Sequence, residues 1–347
     1  MHSVPRTPVR QSTKRRLLII STNLLSVACL WWVLHDINWR EYPDELRSMN
    51  WWWVSLAVVS DILVYVWHGW RWSWLLKPIE NIPIVQSVRA VYVGLFANEV
   101  LPLRTGEVIR CYLQARWSEI PFSVTLSSAL IERIFDGFFL VMCMVVTAKV
   151  VPGMPKYLID GTIVLAVLVV AGAVLLGIAM FHKQRAHAAF SNETGWHKHF
   201  RVLIDDLHVI GHSRYLLYSA LLTIPYLLTQ IVPIYALMRA YDFADASWGV
   251  ATVLMIVLRL GSAVPQAPGN VGTFQALTVV ILARVFGYDA SFAKRFSVVM
   301  WAVVTLPLLI VGFIALAITG AKIGELHHHA RSQMPGREPA VHVPEKQ

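Results

Sequence analysis

A chain of 347 residues in which 56% are hydrophobic and only 15% charged, with a mean hydropathy of +0.55, lies outside the composition of soluble globular proteins and has that of an integral membrane protein. The net charge of +9 does not point to nucleic acid, because the lysines and arginines form no continuous patch interleaved with aromatics; in a membrane protein they report orientation and contact with anionic lipid. Cys29, Cys111 and Cys143 are far apart and form no CxxC pair, so neither a disulfide framework nor a metal motif is expected.

In chain order, residues 1–16, MHSVPRTPVRQSTKRR, read as a basic cytoplasmic tail. The apolar run Leu17 to Leu34 that follows is too long for a signal peptide and leads into polar WREYPDELR rather than a small-residue cleavage site, so it predicts a first spanning helix. Further spans are expected at Trp51–Trp67, Ser123–Val150, Leu158–Phe181, Tyr215–Ala240 and Ser297–Thr319, each near the roughly 20 residues that cross a bilayer core. The basic tail, Arg71 with Lys77, and the loop 182–214 fall on one side by this alternation. That side is the cytoplasm by the positive-inside rule. Within the loop, HFRVLIDDLHVIGH reads as an amphipathic surface helix or a solvated linker. Residues 320–347, with His327 to His329, read as a disordered cytoplasmic tail. The tryptophans at 51–53, 67, 70, 72 and 74 bracket the second span; interfacial anchoring explains them, and a sugar-stacking platform is the alternative.

Two segments are not simple spans. Between Ile84 and Ile120, apolar VQSVRAVYVGLFA is broken by NEVLPLRTGE, with Pro102 and Gly106, and resumes as VIRCYLQA. Between Trp248 and Phe286 the break contains Pro265, Pro268, Gly269 and Gly272. Irregular backbone at membrane depth survives only inside protein or beside a wet cavity. One interrupted segment in each half, entering from opposite sides, is the pattern of inverted-repeat transporters. The expected fold is therefore an all-α polytopic membrane bundle of about six full spans plus two broken or re-entrant hairpins, within a single transmembrane domain over 17–319; eight full spans is the alternative.

Charges inside the third span point the same way. In SALIERIFDGFF, Glu132 and Asp136 share a helix face, and Arg133 is spaced to pair with Asp136. Ionisable residues within spans are rare and mark pathways for ions or substrates. The competing reading is a structural ion-pair network tying this helix to Arg104 or Arg110. Arg259, in VLRLG, is the corresponding cation of the second interrupted segment, and Asp61 is an isolated acid in the second span.

The blocks NEVLPLRTGEVIR, IERIFDGF and VPQAPGNVGTFQA together resemble the lysylphosphatidylglycerol synthase transmembrane region, a flippase-like family, over roughly Leu17 to Thr319. The matching positions are Asn98, Leu101, Pro102, Arg104, Gly106, Glu107 and Arg110, then Glu132, Arg133 and Asp136, then Pro265, Pro268, Gly269, Gly272 and Gln275. Asn270 stands where the family usually has glycine, and Gln275 where it usually has glutamate. The resemblance implies movement of a phospholipid, an aminoacylated lipid or a lipid-linked sugar between leaflets. Larger relatives add a soluble aminoacyltransferase domain; this chain ends soon after Thr319, so lipid synthesis is not expected of it.

The leading expectation is a lipid flippase of the cell (inner) membrane with both termini cytoplasmic, in which Arg104 and Arg110 hold a phosphate. Asn98, Glu107, Glu132, Arg133, Asp136, Arg259 and Gln275 complete the candidate substrate site. The prolines and glycines of the two breaks act as hinges. No catalytic residue, cofactor or metal is assigned, and no GxxxxGK[ST] loop appears. Envelope-biosynthesis enzymes and a second copy of the chain are the candidate protein partners, beside the lipid or lipid-linked glycan substrate. The rival class is a membrane glycosyltransferase or lipid-modifying enzyme using Glu107 or Asp136 as general base. A structural or regulatory subunit is the third reading.

Overall fold

A computed structural model describes residues 9–35, 37, 42–101, 105–151, 154–181, 196–243, 246–263 and 267–319. Pro102, Arg104, Pro265 and the histidine-rich tail lie outside them. All regular structure among the described residues is helical, and the protein is a polytopic helical membrane bundle.

The long helices are α1 (Val9–Leu34), α3 (Trp51–Leu76), α6 (Phe122–Val150), α7 (Lys156–Phe181) and α13 (Ala290–Thr319), together with the pair α9 (Arg214–Thr229) and α10 (Ile231–Ala240), which continue one another across a break at Gln230. Four of these segments, α3, α7, α9 with α10, and α13, combine spanning length with apolar composition. α6 is longer than a span requires, but every eighteen-residue stretch of it contains three or more of Glu132, Arg133, Asp136 and Lys149. Its two acids, Glu132 and Asp136, are buried in the bundle against arginines of other helices, which answers the cost of placing them there. α1 is apolar over a shorter stretch, Ile20–Leu34. α7 is apolar on all sides, with Val167, Leu168 and Leu175 exposed, so it presents itself to lipid.

The second span runs nine residues beyond the expected Trp67, to Leu76. Asn50 caps its start by accepting from the Trp52 N–H at 3.1 Å. The extension takes Arg71 and Trp72 into the interior, both fully buried. Neither is the interfacial residue its position suggested; Trp51 and Trp52, well exposed at the other end, do suit that role.

Both interrupted segments form hairpins. α4 (Ile84–Val100) ends where Leu101 adopts extended backbone, φ −93° and ψ 141°, as the residue before a proline must. α5 (Gly106–Trp117) then returns beside it. At 17 and 12 residues the arms measure about 26 and 18 Å, short of the ~30 Å hydrocarbon core. They pack through bare backbone: a Cβ on Gly106 would sit 1.8 Å from the Gly94 carbonyl oxygen. The second hairpin joins α11 (Trp248–Ala263) through a short 3₁₀ turn, Pro268–Asn270, to α12 (Thr273–Val280), which ends in a π turn over Ile281–Val285. Gly269, Asn270 and Gly272 have φ of 70°, 52° and 86°, and a Cβ on Gly272 would meet the Ser26 carbonyl of α1 at 2.0 Å.

Side-chain and backbone ties sort the helix ends into two faces. On one, Gln86 at the start of α4 donates to Ser118 at the end of α5, 2.7 Å. On the other, the Asn50 N–H donates to the Ala240 carbonyl at 3.0 Å, Arg295 pairs with Glu45 of the short helix α2 (Tyr42–Ser48), and Phe243, before α11, packs edge-on against Tyr288, after the π turn. The two hairpins therefore enter from opposite faces. α8 (Trp196–Gly211), the candidate amphipathic surface helix, buries Ile204 and turns Leu207 and Ile210 into a cluster with Leu75, Met180 and Ile131, so its apolar face is covered by α3, α6 and α7.

The core is divided. One apolar cluster surrounds the second hairpin, including Leu254, Leu282, Phe296 and Met300; another surrounds the first, including Trp72, Val91, Ile109 and Leu308. α13 contributes to both. We expect Gly106→Ala and Gly272→Ala each to destabilise the protein by about 3 kcal/mol or more, since the added methyl meets backbone and overpacking alone costs ~1–3 kcal/mol. Gly177→Ala on α7, with open space around it, should leave the unfolding midpoint in detergent unchanged or slightly raised.

Candidate functional site

The hairpins and the long helices converge on a set of buried charges. Glu132 of α6 is at its centre, fully enclosed. Its Oε1 accepts from Arg71 Nη2 of α3 at 3.0 Å and its Oε2 from Arg110 Nη2 of α5 at 2.8 Å. Arg71 also donates from Nη1 to Asp136 Oδ1 at 2.6 Å and to Thr223 of α9 at 3.1 Å. Arg110 donates from Nε to Glu107 at 2.9 Å and lies 4.6 Å over the Trp72 ring, whose indole N–H donates to Ser128 at 2.9 Å. His68 stands 3.4 Å from Glu132. The helical spacing explains the arrangement: residues four apart on α6 face the same way, so one guanidinium spans both acids.

Beside this knot lies a cavity of about 530 Å³, within the ~300–1,000 Å³ of small-molecule sites. Asn98, Glu99 and Glu107 line it from the first hairpin and Arg259 and Asn270 from the second; Arg133 and Asp136 of α6 and Asp61 of α3 also face it. The interruptions meet there, with Asn270 donating from Nδ2 to Glu99 at 3.2 Å. Each break also satisfies a glycine amide through a side-chain carbonyl: Gly106 N–H donates to Asn98 and Gly272 N–H to Gln275, both at 2.7 Å. Trp301 of α13 donates to the Gly269 carbonyl at 2.8 Å. Gln230, at the break between α9 and α10, adds a third irregular element to the wall.

Of the sequence-selected site residues, Asn98, Glu107, Arg133, Asp136 and Arg259 line the cavity. Arg110 and Glu132 do not; they are spent on each other. Gln275 is buried against backbone, and Arg104 lies outside the described residues. Arg133, 44% exposed at its side chain, reaches Asp136 at 3.5 Å and Glu107 at 4.0 Å. Arg259 is different. Its Nη2 donates to the Tyr226 hydroxyl at 2.6 Å, but it makes no ion pair among the described residues, and its Nε is buried without a partner.

Sequence reasoning missed Arg71, His68 and Tyr226. In the sequence Arg71, with Lys77, reads as a positive-inside marker just past the second span. The available signal was charge balance: two acids on one face of α6 require cations on neighbouring helices, and Arg71 is on a helix adjacent to it.

Removing one partner from a buried ion pair costs about 3–5 kcal/mol. Arg71→Ala and Glu132→Ala should therefore sharply lower the unfolding midpoint in detergent, and Arg110→Ala should behave alike; the half-exposed Arg133→Ala should stay close to the parent.

Residues 17–312 match the family described as the lysylphosphatidylglycerol synthase TM region. A UPF0104 membrane protein of Methanocaldococcus jannaschii is 28% identical over 127 residues, which are 36% of this chain and 37% of that protein. Another, of Methanothermobacter thermautotrophicus, is 23% identical over 288 residues, 77% of this chain and 84% of its own. The chain thus spans little more than a third of the first relative and most of the second. No solved structure matches it.

Proposed function

The chain belongs to the lysylphosphatidylglycerol synthase transmembrane-region family, and from that premise we propose that it moves a phosphate-bearing lipid or lipid-linked intermediate between the leaflets of the cell membrane, with both termini cytoplasmic. Membership supports a role with membrane lipid; transport is the reading that the cavity supports best.

Arg259 is the observation that carries it. A guanidinium at membrane depth is costly unless paired, and here the pairing is with a neutral phenol. A phosphate diester supplies the missing anion, and the forked donors of arginine suit two of its oxygens. Around it, Asn98, Asn270 and Gln230 offer neutral polar groups for hydroxyls of the headgroup. The cavity volume suits a headgroup, so the acyl chains remain in the surrounding lipid. The enzyme reading finds both candidate bases engaged, Glu107 by Arg110 and Asp136 by Arg71.

In liposomes with fluorescent phospholipids, the wild-type chain should accelerate exchange of label between leaflets. Arg259→Ala should slow that exchange about tenfold or more, the range expected for one lost charge-assisted contact, with unfolding close to wild type; Arg259→Lys should fall between them. Wild-type rates equal to those of empty liposomes across anionic, zwitterionic and glycosylated lipids would refute transport.

A further inference from the structure

The charges around the cavity divide into two groups. Arg71, Arg110 and Arg133 are matched by Glu107, Glu132 and Asp136, each arginine within ion-pair distance of two of the three acids. Of the charged residues that line the cavity outside that balance, Glu99 is held by Asn270, and two others have no ion pair among the described residues. One is Arg259. The other is Asp61 on α3, which is 6% exposed, lines the same cavity, makes no ion pair or hydrogen bond among the described residues, and keeps Oδ2 buried without a partner. Asp61, Tyr65 one turn along α3, and Arg259 all line this one cavity, so the two groups belong to one neighbourhood. They do not pair with each other.

We propose that Asp61 is the ammonium subsite of the cavity and that the preferred substrate is a net-neutral, zwitterionic phospholipid of the phosphoethanolamine type, its phosphate on Arg259 and its amine on Asp61. This rests on the transport reading above and adds the headgroup class. Buried carboxylates and guanidiniums are costly without opposite charge; a headgroup bearing one phosphate and one ammonium supplies one to each and leaves the total charge of the site unchanged. A purely anionic headgroup satisfies Arg259 and leaves Asp61 unmatched. Glu99, held by Asn270, lines the same wall and adds negative potential, whereas the nearby cations of the knot are occupied by their own carboxylates.

The test uses the full chain in detergent, with the unfolding midpoint read against lysophosphatidylethanolamine, its N-acetylated form, lysophosphatidylglycerol and water-soluble phosphoethanolamine. The ethanolamine lysolipid should act at about tenfold lower concentration than the acetylated one, the factor supplied by one charge-assisted hydrogen bond, and Asp61→Asn should abolish that difference. Equal responses of the wild type to the amine and its acetylated form, or an undiminished preference in Asp61→Asn, would overturn the proposal. So would a full response to phosphoethanolamine alone, which identifies a soluble phosphoester instead of a lipid. The wild-type comparison stands even if the variant does not fold. Failure of every lipid to exchange in wild-type liposomes would count against transport, whereas exchange without any amine preference in the wild type would count against Asp61 alone.

Discussion

Glu132 is enclosed by protein, and each of its oxygens is held by an arginine from a different helix. An ionised carboxylate at that depth is tolerable only when both guanidiniums are in place, so the packing of α3, α5 and α6 follows from one side chain. Arg71 extends the constraint to α9 through Thr223 and the face of Tyr226, 4.6 Å from its guanidinium. Because Arg110 arrives on the first hairpin, the same clamp sets where that hairpin sits, and with it one wall of the cavity.

Charge in this protein serves two purposes that position separates. At the centre of the knot, Arg71, Arg110 and Glu132 are matched to one another and hold helices together away from the cavity. Where charges are unmatched, as at Arg259 and Asp61, they face open volume. Tyr226 stands between the two regimes: its ring lies under Arg71 while its hydroxyl accepts from Arg259. One aromatic side chain thus couples the sealed ion network to the cavity wall.

Much of this was legible in the sequence. The two interruptions, the i, i+4 acids of α6 and the pairing of Arg133 with Asp136 all follow from periodicity, proline chemistry and the expense of charge in hydrocarbon. The family blocks located the same residues. Assignment of partners was not legible, because tertiary proximity decides it: Arg71 sits among tryptophans that read as an interface, and nothing local distinguishes an arginine that snorkels from one that turns inward. Tyr226 lay hidden in an apolar run for the same reason. Gln275 shows the complementary difficulty, since a side chain in a family block turns out to bond a glycine amide of its own turn.

The glycine contact at Gly94 and Gly106 leaves no side-chain layer to slide, and Arg110 bolts the same hairpin to α6. This half is mechanically stiff. The other half contains an eight-residue helix, a π turn closed by the Phe286 N–H on the Ile281 carbonyl, and left-handed residues at its tip; π turns often occur at functional sites. Stiffness is thus distributed unequally between the two hairpins, and under the transport proposal the compliance that alternating exposure requires falls to the half that brings Arg259.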